Sequence, residues 1–361
     1  MRHLVSIQRI AAIEPIPEAD SLELARILGW NVIVRKDENY KVGDLVLYFE
    51  IDSFLPAADK RFEFLRKSSY RSTLWQGEGF RLRTMKLRGQ LSQGLILPLS
   101  DFPEITDNTE GSDVTELLNV TKWDPPESMP MASGTPRPGS NKGMHGNAKG
   151  PRPPWIPKTD ETRIQSVPRL LKYFAGKPFY VTQKVDGTST TIYCKDGVVG
   201  GCSRNTDIKV NEDCLMSRVI KQYGLFEKLP ALGHDIIIQG ELCGPGIQKN
   251  RMNLKHYCWF VFDALRDGEY LGFSDLSSLV ESLGLTSVPL IATGTSFPEH
   301  TIESLLKLAE EQTYPDTDHP AEGIVVRTSD AEYDKEDPIL REIGRPSFKA
   351  INNQYLLKCG D

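Results

Sequence analysis

The sequence predicts an α+β protein built from an N-terminal β-barrel and a larger domain of mainly antiparallel sheets flanked by helices. Residues 1–120 carry short alternating apolar runs and few helical patterns, which is typical of a small barrel. The later chain mixes strand patterns with two amphipathic helical patterns. With 361 residues, 39% of them hydrophobic, the chain is long enough for two cores.

The N-terminal strands are predicted from alternation. Residues 31–35 and 44–49 have the apolar and aromatic content of strands, with a turn at residues 41–44 between them. A second alternating run covers residues 80–88, and residues 94–98 complete the series. These spacings predict a meander of short strands rather than a helical domain.

A segment rich in proline and glycine separates the two parts. Nine prolines and five glycines lie between Trp123 and Pro157. Such a composition supports neither helix nor sheet ladders and predicts an extended linker. We therefore divide the chain into a barrel domain at residues 1–120, a linker at 121–160 and a second domain at 161–361.

The second domain begins with strand signals on both sides of a lysine. Residues 179–183 form a strand pattern that leads into Lys184, and a hairpin is predicted from strands at 188–194 and 198–202. The intervening Lys195-Asp196-Gly197 is a tight-turn signal. Further elements are predicted as strands at 235–240 and 257–264, and as helices at 276–283 and 302–311.

Charge and cysteine usage limit the protein class. The formal net charge is -6, so the whole-chain balance does not indicate a nucleic-acid partner. None of the six cysteines forms a C-x-x-C pair, which disfavours a zinc site. No apolar run approaches the roughly 20 residues that span a bilayer. We expect a soluble, cytoplasmic protein that does not contact the membrane and acts as a monomer.

Lys184 is the first candidate catalytic residue. It follows a strand and precedes Val185-Asp186-Gly187, which places its side chain at a strand end. A neutral lysine amine can attack phosphorus and form a phosphoramidate, provided that its environment lowers its pKa. The alternative is a surface lysine before a tight turn, and these four residues alone do not exclude it.

Later segments repeat the pattern of charged residues at strand ends. Arg204 ends the predicted hairpin, Glu241 follows an apolar strand, and Glu322 opens another. Further cations follow at Arg327, Lys349 and Lys358. Each of these residues alone could be a solvated surface charge. Together they are what nucleotidyl transfer to a lysine needs, because carboxylates hold a divalent cation and the ribose while cations stabilise phosphate charge. No G-x-x-x-x-G-K-[ST] motif occurs, which disfavours a P-loop enzyme.

In this order the motifs resemble the covalent nucleotidyltransferase superfamily of ligases and mRNA capping enzymes. The run Gly-Glu-Leu-Cys-Gly-Pro-Gly-Ile-Gln at residues 240–248 looks like RNA ligases rather than capping enzymes. Residues 13–56 are similar to the OB domain of the nick-sealing RNA ligases of family 5, and residues 156–163 resemble the start of that family's catalytic domain. The resemblance implies an OB-fold domain followed by an ATP-grasp-like ligase domain.

The resemblance also implies roles for the site residues. Lys184 would accept AMP from ATP, and Glu322 would bind the catalytic divalent cation, Mg²⁺ or Mn²⁺. Lys349 would contact the α-phosphate. Nucleotide-binding roles would fall to Gln183 at the adenine edge, Asp186 in shaping the pocket, Arg204 at the ribose or the 5′-phosphate of the bound strand, Glu241 at the ribose hydroxyls and Phe262 stacked on adenine.

This sequence departs from the family at two positions. Many relatives carry a Lys-x-Lys pair in the last motif, whereas here Ser347 occupies the first position. Arg327 and Lys358 are therefore candidate additional phosphate contacts beside Lys349. Ser189 stands where some RNA ligases have asparagine.

A basic stretch in the barrel predicts a nucleic-acid surface. Residues 60–90 contain nine basic and two acidic residues, a local charge of +7, which could follow a phosphate backbone. Tyr70, Trp75 and Phe80 lie among these charges and could stack bases. The alternative is a solvated barrel face with packed aromatics. The residues expected to contact the nucleic acid are Arg81, Arg83, Lys86 and Arg88, with Arg81 and Arg83 on one face of a strand.

We interpret the chain as an ATP-dependent RNA ligase that seals 3′-hydroxyl/5′-phosphate breaks. The expected substrate is a nick in an RNA or RNA/DNA duplex with an RNA 3′ end. The nearest alternative is an ATP-dependent DNA ligase, although DNA ligases usually carry their OB domain after the catalytic domain. A capping guanylyltransferase would prefer GTP, and a non-catalytic nucleic-acid-binding relative would form no adduct with AMP.

Overall fold

The computed structural model describes residues 3–74, 76–123, 148–211 and 214–359, the last without its side chain. Most of the expected linker and Trp75 lie outside the described residues. The chain forms two compact units. The first comprises Met1–Pro126, Ile164–Pro168 and Leu356–Asp361, and the second comprises Glu127–Arg163 and Arg169–Tyr355. The boundaries at residues 120 and 160 remain a proposal.

The first unit is built almost entirely from antiparallel strands. The strands are β1 (Val5–Pro15), β2 (Leu22–Ile27), β3 (Trp30–Arg35), β4 (Leu45–Phe49), β5 (Ser53–Pro56), β6 (Tyr70–Thr73), β7 (Gly77–Arg81), β8 (Met85–Leu87), β9 (Gln90–Ser92), β10 (Leu95–Pro98) and β11 (Thr121–Lys122). They form sheets with the strand orders β10-β4-β1-β2-β3, β11-β5-β7-β6 and β8-β9. The short helix α1 (Arg66–Ser69) precedes β6.

Aromatic residues fill the core of this unit. Phe49, Phe62, Phe80 and Phe102 are all fully buried, and the rings of Phe49 and Phe62 meet edge to face with centroids 5.5 Å apart. Such packing is favoured by the quadrupoles of the rings. The predicted strands at 31–35, 44–49 and 94–98 are confirmed as β3, β4 and β10.

The predicted strand at residues 80–88 is wrong as a single element. The structure divides it into β7, which ends at Arg81, and β8, which begins at Met85. Arg81 and Arg83 therefore do not alternate along one strand. Leu82 is buried beside them and its backbone N–H donates to the carbonyl of Ser53 at 2.9 Å. The chain therefore stays bonded to the start of β5 as far as Leu82, and the strand pattern is interrupted at residues 82–84 before β8 begins.

The second unit contains two larger sheets. The strands are β12 (Ala148–Pro151), β13 (Phe179–Lys184), β14 (Thr188–Lys195), β15 (Val198–Cys202), β16 (Thr206–Ile208), β17 (Ile236–Cys243), β18 (Cys258–Arg266), β19 (Glu269–Tyr270), β20 (Thr286–Ser287), β21 (Leu290–Gly294), β22 (Gly323–Thr328) and β23 (Ser347–Ile351). One sheet has the strand order β12-β16-β15-β14-β17-β18-β19, with β20 paired to β18, and the other has the order β21-β13-β22-β23.

Short helices accompany these sheets, except that the last of them, α8, crosses the division between the two units after Tyr355. They are α2 (Leu170–Phe174), α3 (Leu215–Gln222), α4 (Leu225–Lys228), α5 (Phe273–Leu283), α6 (Ile302–Glu310), α7 (Pro338–Ile343) and α8 (Asn353–Cys359). The predicted helices at 276–283 and 302–311 are confirmed as α5 and α6. The tight turn after β14 is also confirmed, because Asp196 and Gly197 have positive φ values of 50° and 76°, the pattern of a type I′ hairpin turn.

One face of the larger sheet packs on helices. Ile236, Ile238 and Leu242 of β17 share a buried core with residues of α3 and α5. Side chains alternate along a strand, so Gln239 and Glu241 point to the opposite face. The hydrophobic core thus fixes the side of the sheet on which the polar groups of β17 gather. In the described ranges, no helix is long and apolar enough to cross a membrane.

Candidate active site

Lys184 ends β13 beside the start of β22. The backbone of Lys184 pairs with Gly323, which brings Glu322 next to it. The Lys184 Nζ donates to the Glu322 carboxylate at 2.6 Å. Burial acts to lower the pKa of Lys184, but the carboxylates of Glu322 and Glu241 outweigh burial and raise that pKa above its ordinary value. In the ligand-free protein the amine is therefore held as an ammonium ion.

Three carboxylates surround this lysine. Burial raises the pKa of Glu241 to about 8. The charge of Glu322 adds to this increase, whereas the charge of Lys184 opposes it. Burial and the neighbouring Glu322 likewise raise the pKa of Asp186. Glu241 and Asp186 resist ionisation because burial disfavours their charged forms and Glu322 adds negative charge nearby. The cluster consequently favours a ligand or ion that brings positive charge.

The carboxylates around Lys184 can hold a divalent cation only if water or substrate phosphates supply part of its coordination. Among the described residues, no group of three His, Cys, Asp or Glu side chains is arranged to hold a metal ion. Mg²⁺ commonly binds through one or two carboxylates and completes its shell with water or substrate phosphates. Glu322, only 20% exposed and directed at Lys184, suits such a role.

Asp186 is fixed by residues from far along the chain. Its carboxylate forms an ion pair with Arg251, and both side chains are only 10% exposed. Arg251 also donates to the Tyr355 hydroxyl at 3.2 Å. Gln248 Nε2 donates to the carbonyl of Gly187 at 3.2 Å. The segment after β17 therefore supports the turn that follows Lys184.

Removing Arg251 should destabilise the protein strongly. Arg251→Gln leaves the buried Asp186 carboxylate without its cation, and breaking one side of a buried pair costs about 3 kcal/mol. Urea unfolding measures this change. Arg341→Gln is the control because its ion pair with Glu336 is exposed, so the loss should stay below about 0.5 kcal/mol. Equal effects of the two substitutions would contradict the structural role of Arg251.

Gly187 is required by a close approach of the backbone. A Cβ at this position would lie 2.5 Å from the Leu242 carbonyl oxygen and 2.6 Å from the Cys243 Sγ. Both contacts are far below van der Waals separation. The glycine after Asp186 thus lets the turn pack against β17, where Thr188 pairs with Leu242 and Ser189 pairs with Glu241.

A β-bulge places Phe262. In the pairing of β17 with β18, Gln239 opposes Asp263 and Gly240 opposes Val261, so Phe262 is the additional residue. Bulges re-aim side chains beside functional sites. Phe262 is half-buried against the cluster that contains Val185 and Tyr314. Its ring therefore lies beside the residues that follow Lys184.

Gln183 points to the other face of β13 from Lys184, since neighbouring side chains in a strand alternate. It is 5% exposed, and its Nε2 donates to the Thr313 carbonyl at 2.9 Å. Its Oε1 is buried and has no hydrogen-bond partner among the described residues. An unpartnered buried amide oxygen suits an N–H donor such as an exocyclic amine.

Lys349 and Ser347 both lie on β23. Lys349 pairs with Val325 of β22, which in turn pairs with Thr182 of β13. Directly opposed residues share a face, so Lys349 points to the same face as Lys184. Ser347 is buried and its hydroxyl donates to Glu161 at 2.5 Å. Ser347, at the place where the family resemblance leads us to expect a lysine, thus makes a contact inside the protein.

Arg327, expected at a phosphate, lies instead in a buried ion cluster. Its guanidinium donates to Glu161 at 2.7 Å and lies 3.8 Å from Asp263. Arg345 pairs with the same two carboxylates. Although burial acts to raise it, Arg345 and Arg327 lower the pKa of Glu161 to about 2. Arg327 is 5% exposed and four residues along β22 from Gly323, so it joins this cluster rather than Lys184.

The last two cofactor candidates are exposed. Arg204 Nη2 donates to the Asp160 carboxylate at 2.8 Å. Lys358 lies in the last turn of α8. The structure therefore gathers Lys184, Asp186, Glu241 and Glu322 and places Phe262 beside them. Arg327 pairs with Glu161, and its guanidinium lies 5.8 Å from the centre of the Phe262 ring.

In the first unit, the basic residues are partly gathered. Arg81, Arg83 and Lys86 line one cleft of about 290 Å³, and Arg88 lies exposed at the turn after β8. The Arg81 guanidinium lies 5.4 Å from the centre of the Trp123 ring. Of the aromatics expected to stack bases, Phe80 is fully buried in the core and Tyr70 packs against it at 6.1 Å. Phe80 is therefore a core residue, contrary to that expectation.

Comparisons with known proteins identify similar chains. A profile described as RNA ligase matches residues 177–351, and one described as OB-fold domain matches residues 4–99. The OB-fold match confirms the predicted barrel. No curated protein matches the chain significantly.

Solved structures of Naegleria gruberi RNA ligase are similar over the full length. A mutant in its apo form is 33% identical with a TM-score of 0.86, covering 100% of this chain and 99% of that chain. A mutant with ATP and Mn is 33% identical with a TM-score of 0.85, covering 100% of both. The form with PPi is 34% identical with a TM-score of 0.85, again covering 100% of both.

Proposed function

This chain belongs to the RNA ligases, and from that premise we propose that it seals 3′-hydroxyl/5′-phosphate nicks with ATP through a covalent AMP adduct on Lys184. The observation that carries the proposal is the position of Lys184. It is a largely buried lysine at a strand end, 2.6 Å from Glu322 and close to Glu241 and Asp186. The structures of Naegleria gruberi RNA ligase with ATP and Mn, or with AMP and Mn, support ATP as the nucleotide.

In the first step the Lys184 Nζ attacks the α-phosphorus of ATP. A P–N bond forms, the bond to pyrophosphate breaks, and pyrophosphate leaves. The amine must first lose the proton that its carboxylate neighbours favour. A divalent cation bound at Glu322 would supply the positive charge that lowers the lysine pKa and offsets charge on the phosphates.

The nucleotide would be held by groups around this lysine. We assign the adenine to Phe262 for stacking and to Gln183, whose unpartnered Oε1 can accept from the exocyclic amine. Glu241 would receive the ribose hydroxyls, and Asp186 would shape the pocket. Lys349, on the same sheet face as Lys184, would contact the α-phosphate. These groups act by positioning the nucleotide and by stabilising charge, which together supply most of the catalysis in phosphoryl transfer.

The second and third steps complete sealing. The AMP moves from Lys184 to the 5′-phosphate of the nick, which makes a pyrophosphate linkage, and Arg204 would contact that phosphate. The 3′-hydroxyl then attacks the 5′-phosphorus, and AMP leaves as the phosphodiester forms. The basic residues of the OB-fold domain, chiefly Arg83, Lys86 and Arg88, would contact the backbone of the duplex.

An RNA ligase and a DNA ligase differ in the sugar that they require at the 3′ end of the nick. Two nicks are compared that differ only in a 2′-hydroxyl on the terminal 3′ nucleotide. We expect sealing of the RNA-ended nick to be at least about tenfold faster, since losing one well-placed hydrogen bond costs about 1.4 kcal/mol. Equal rates would favour a DNA ligase, and an absent AMP adduct would favour a non-catalytic relative.

Gly187→Ala should disable adduct formation. The new Cβ would lie 2.5 Å from a backbone oxygen of β17, so the turn that carries Asp186 must move. Displacement of this kind costs about 100-fold in rate. Gly150→Ala is the control, because a Cβ there meets nothing within 4 Å. Rates of labelled AMP transfer to the protein measure the effect, and a normal rate for Gly187→Ala would contradict the packing role of this glycine.

A further inference from the structure

Arg204, which the proposed function assigns to the 5′-phosphate of the nucleic acid, forms an exposed ion pair with Asp160. The two side chains are 2.8 Å apart and are 35% and 44% exposed, respectively. A carboxylate and a phosphate offer a guanidinium the same kind of acceptor oxygens. In the absence of nucleic acid, the Asp160 carboxylate therefore binds Arg204 in the way that a 5′-phosphate would.

Asp160 is held at this place by its neighbours in sequence. The Thr159 hydroxyl lies 2.9 Å from the Ser189 hydroxyl of β14. On the other side, the Glu161 side chain is only 7% exposed and is bound to Arg327 and Ser347. The backbone on both sides of Asp160 is thus anchored. Little conformational freedom is lost when its carboxylate meets Arg204, which favours the pair.

The anchoring continues after these residues. The backbone N–H of Lys349 donates to the Thr162 carbonyl at 2.8 Å, and Arg163 forms a parallel bridge with Lys349. Before them, Gln239 donates to the Pro157 carbonyl at 2.7 Å. The segment from residue 157 to 163 is therefore bound along its length to strands of the candidate site, with the Asp160 carboxylate at its exposed point.

The pair is weak enough to be exchanged. Exposed ion pairs contribute about 0.2–1 kcal/mol, whereas a terminal phosphate carries about -1.5 to -2 charges at neutral pH. A terminal 5′-phosphate can therefore displace the singly charged carboxylate from Arg204. A 5′-hydroxyl end brings no such charge and cannot.

We propose that Asp160 is an internal competitor for Arg204 that a terminal 5′-phosphate displaces, and that it thereby sets the affinity for the nick. The inference rests on the proposed function, in which Arg204 contacts the 5′-phosphate. Asp160 acts on the substrate through Arg204 and takes no part in bond formation. Its removal should change the binding of the nick and leave the chemical steps unchanged.

The test is Asp160→Asn in the full-length protein, which removes the charge and keeps the shape. We expect the KM for a nick with a 5′-phosphate to fall about two- to fivefold, the range that an exposed pair represents. The kcat should not change. A matched nick with a 5′-hydroxyl, used as a competitive inhibitor, should show the same inhibition constant with both proteins.

Asp235→Asn is the matched control. Asp235 pairs with Lys195 at 2.8 Å, and the two side chains are comparably exposed, so its loss should leave the KM unchanged. An unchanged or increased KM in Asp160→Asn would overturn the inference, as would an equal tightening of both nicks. A normal AMP adduct in the same preparations separates these results from failure of the proposed function. Absence of the adduct in the wild-type protein would overturn the proposed function and this inference with it.

Discussion

Lys184→Ala is expected to abolish ATP-dependent sealing, with a rate loss of at least about 1000-fold. The reason is chemical, because removing a covalent nucleophile leaves no group to accept AMP. The surrounding carboxylates Glu322, Glu241 and Asp186 cannot substitute, since they do not form a phosphoramidate. The measurement is the rate of nick sealing at saturating ATP.

A second substrate sharpens this prediction. A nick that already carries AMP on its 5′-phosphate bypasses the first two steps, so Lys184→Ala should still seal it at a measurable rate without ATP. Failure on both substrates would indicate that the substitution disrupts the whole site. Undiminished sealing of the ordinary nick would remove Lys184 from the mechanism.

Glu322→Gln is expected to have the next largest effect, a loss of at least about 100-fold in formation of the AMP adduct. The Glu322 carboxylate accepts from Lys184 at 2.6 Å and is the candidate ligand of the divalent cation. Glutamine keeps the shape and removes the charge, which weakens cation binding. Glu299→Gln, at an exposed position, is the control and should leave the rate unchanged.

The sign of this effect discriminates between two roles. Glu322 raises the pKa of Lys184, so its loss alone would release the neutral amine and accelerate attack. A decrease in rate means that Glu322 helps the reaction more by binding the divalent cation than it hinders the reaction by keeping Lys184 protonated. An increase would contradict the assignment of Glu322 as the cation ligand.

The expectation that Glu241 follows its strand is wrong, because β17 continues through Glu241 to Cys243. The expected places of Lys184 and Glu322 are confirmed, since Lys184 ends β13 and Glu322 directly precedes β22. These positions depend on local pattern, because the strand period and the turn residues are read within a few residues.

Contacts between distant segments could not be predicted in this way. Arg251 supports Asp186 across 65 residues of sequence, from an irregular segment without a periodic signal. Asp160 and Glu161 follow a proline-rich stretch, and only the resemblance of residues 156–163 to the family's motif points to them. Their partners Arg327, Ser347 and Arg204 are fixed by the pairing of strands, which the sequence does not display.

Two side chains have surroundings that the sequence does not indicate. Arg327 stays a candidate phosphate contact, but strand register places it four residues from Gly323, among the carboxylates of Glu161 and Asp263. Phe80 was expected at the surface because it lies among charges, yet alternation within β7 turns it into the core. Phe262 reaches the site through a bulge, which no period of apolar residues indicates.

The most direct test of the lysyl-AMP proposal is to locate the adduct. The full-length protein is incubated with ATP and Mg²⁺ or Mn²⁺, digested, and analysed by peptide mass spectrometry. We predict a single adenylyl group on the peptide that contains Lys184, released by acid as expected for a P–N bond and discharged when pyrophosphate is added. An adenylyl group on another residue, or none at all, would contradict the account.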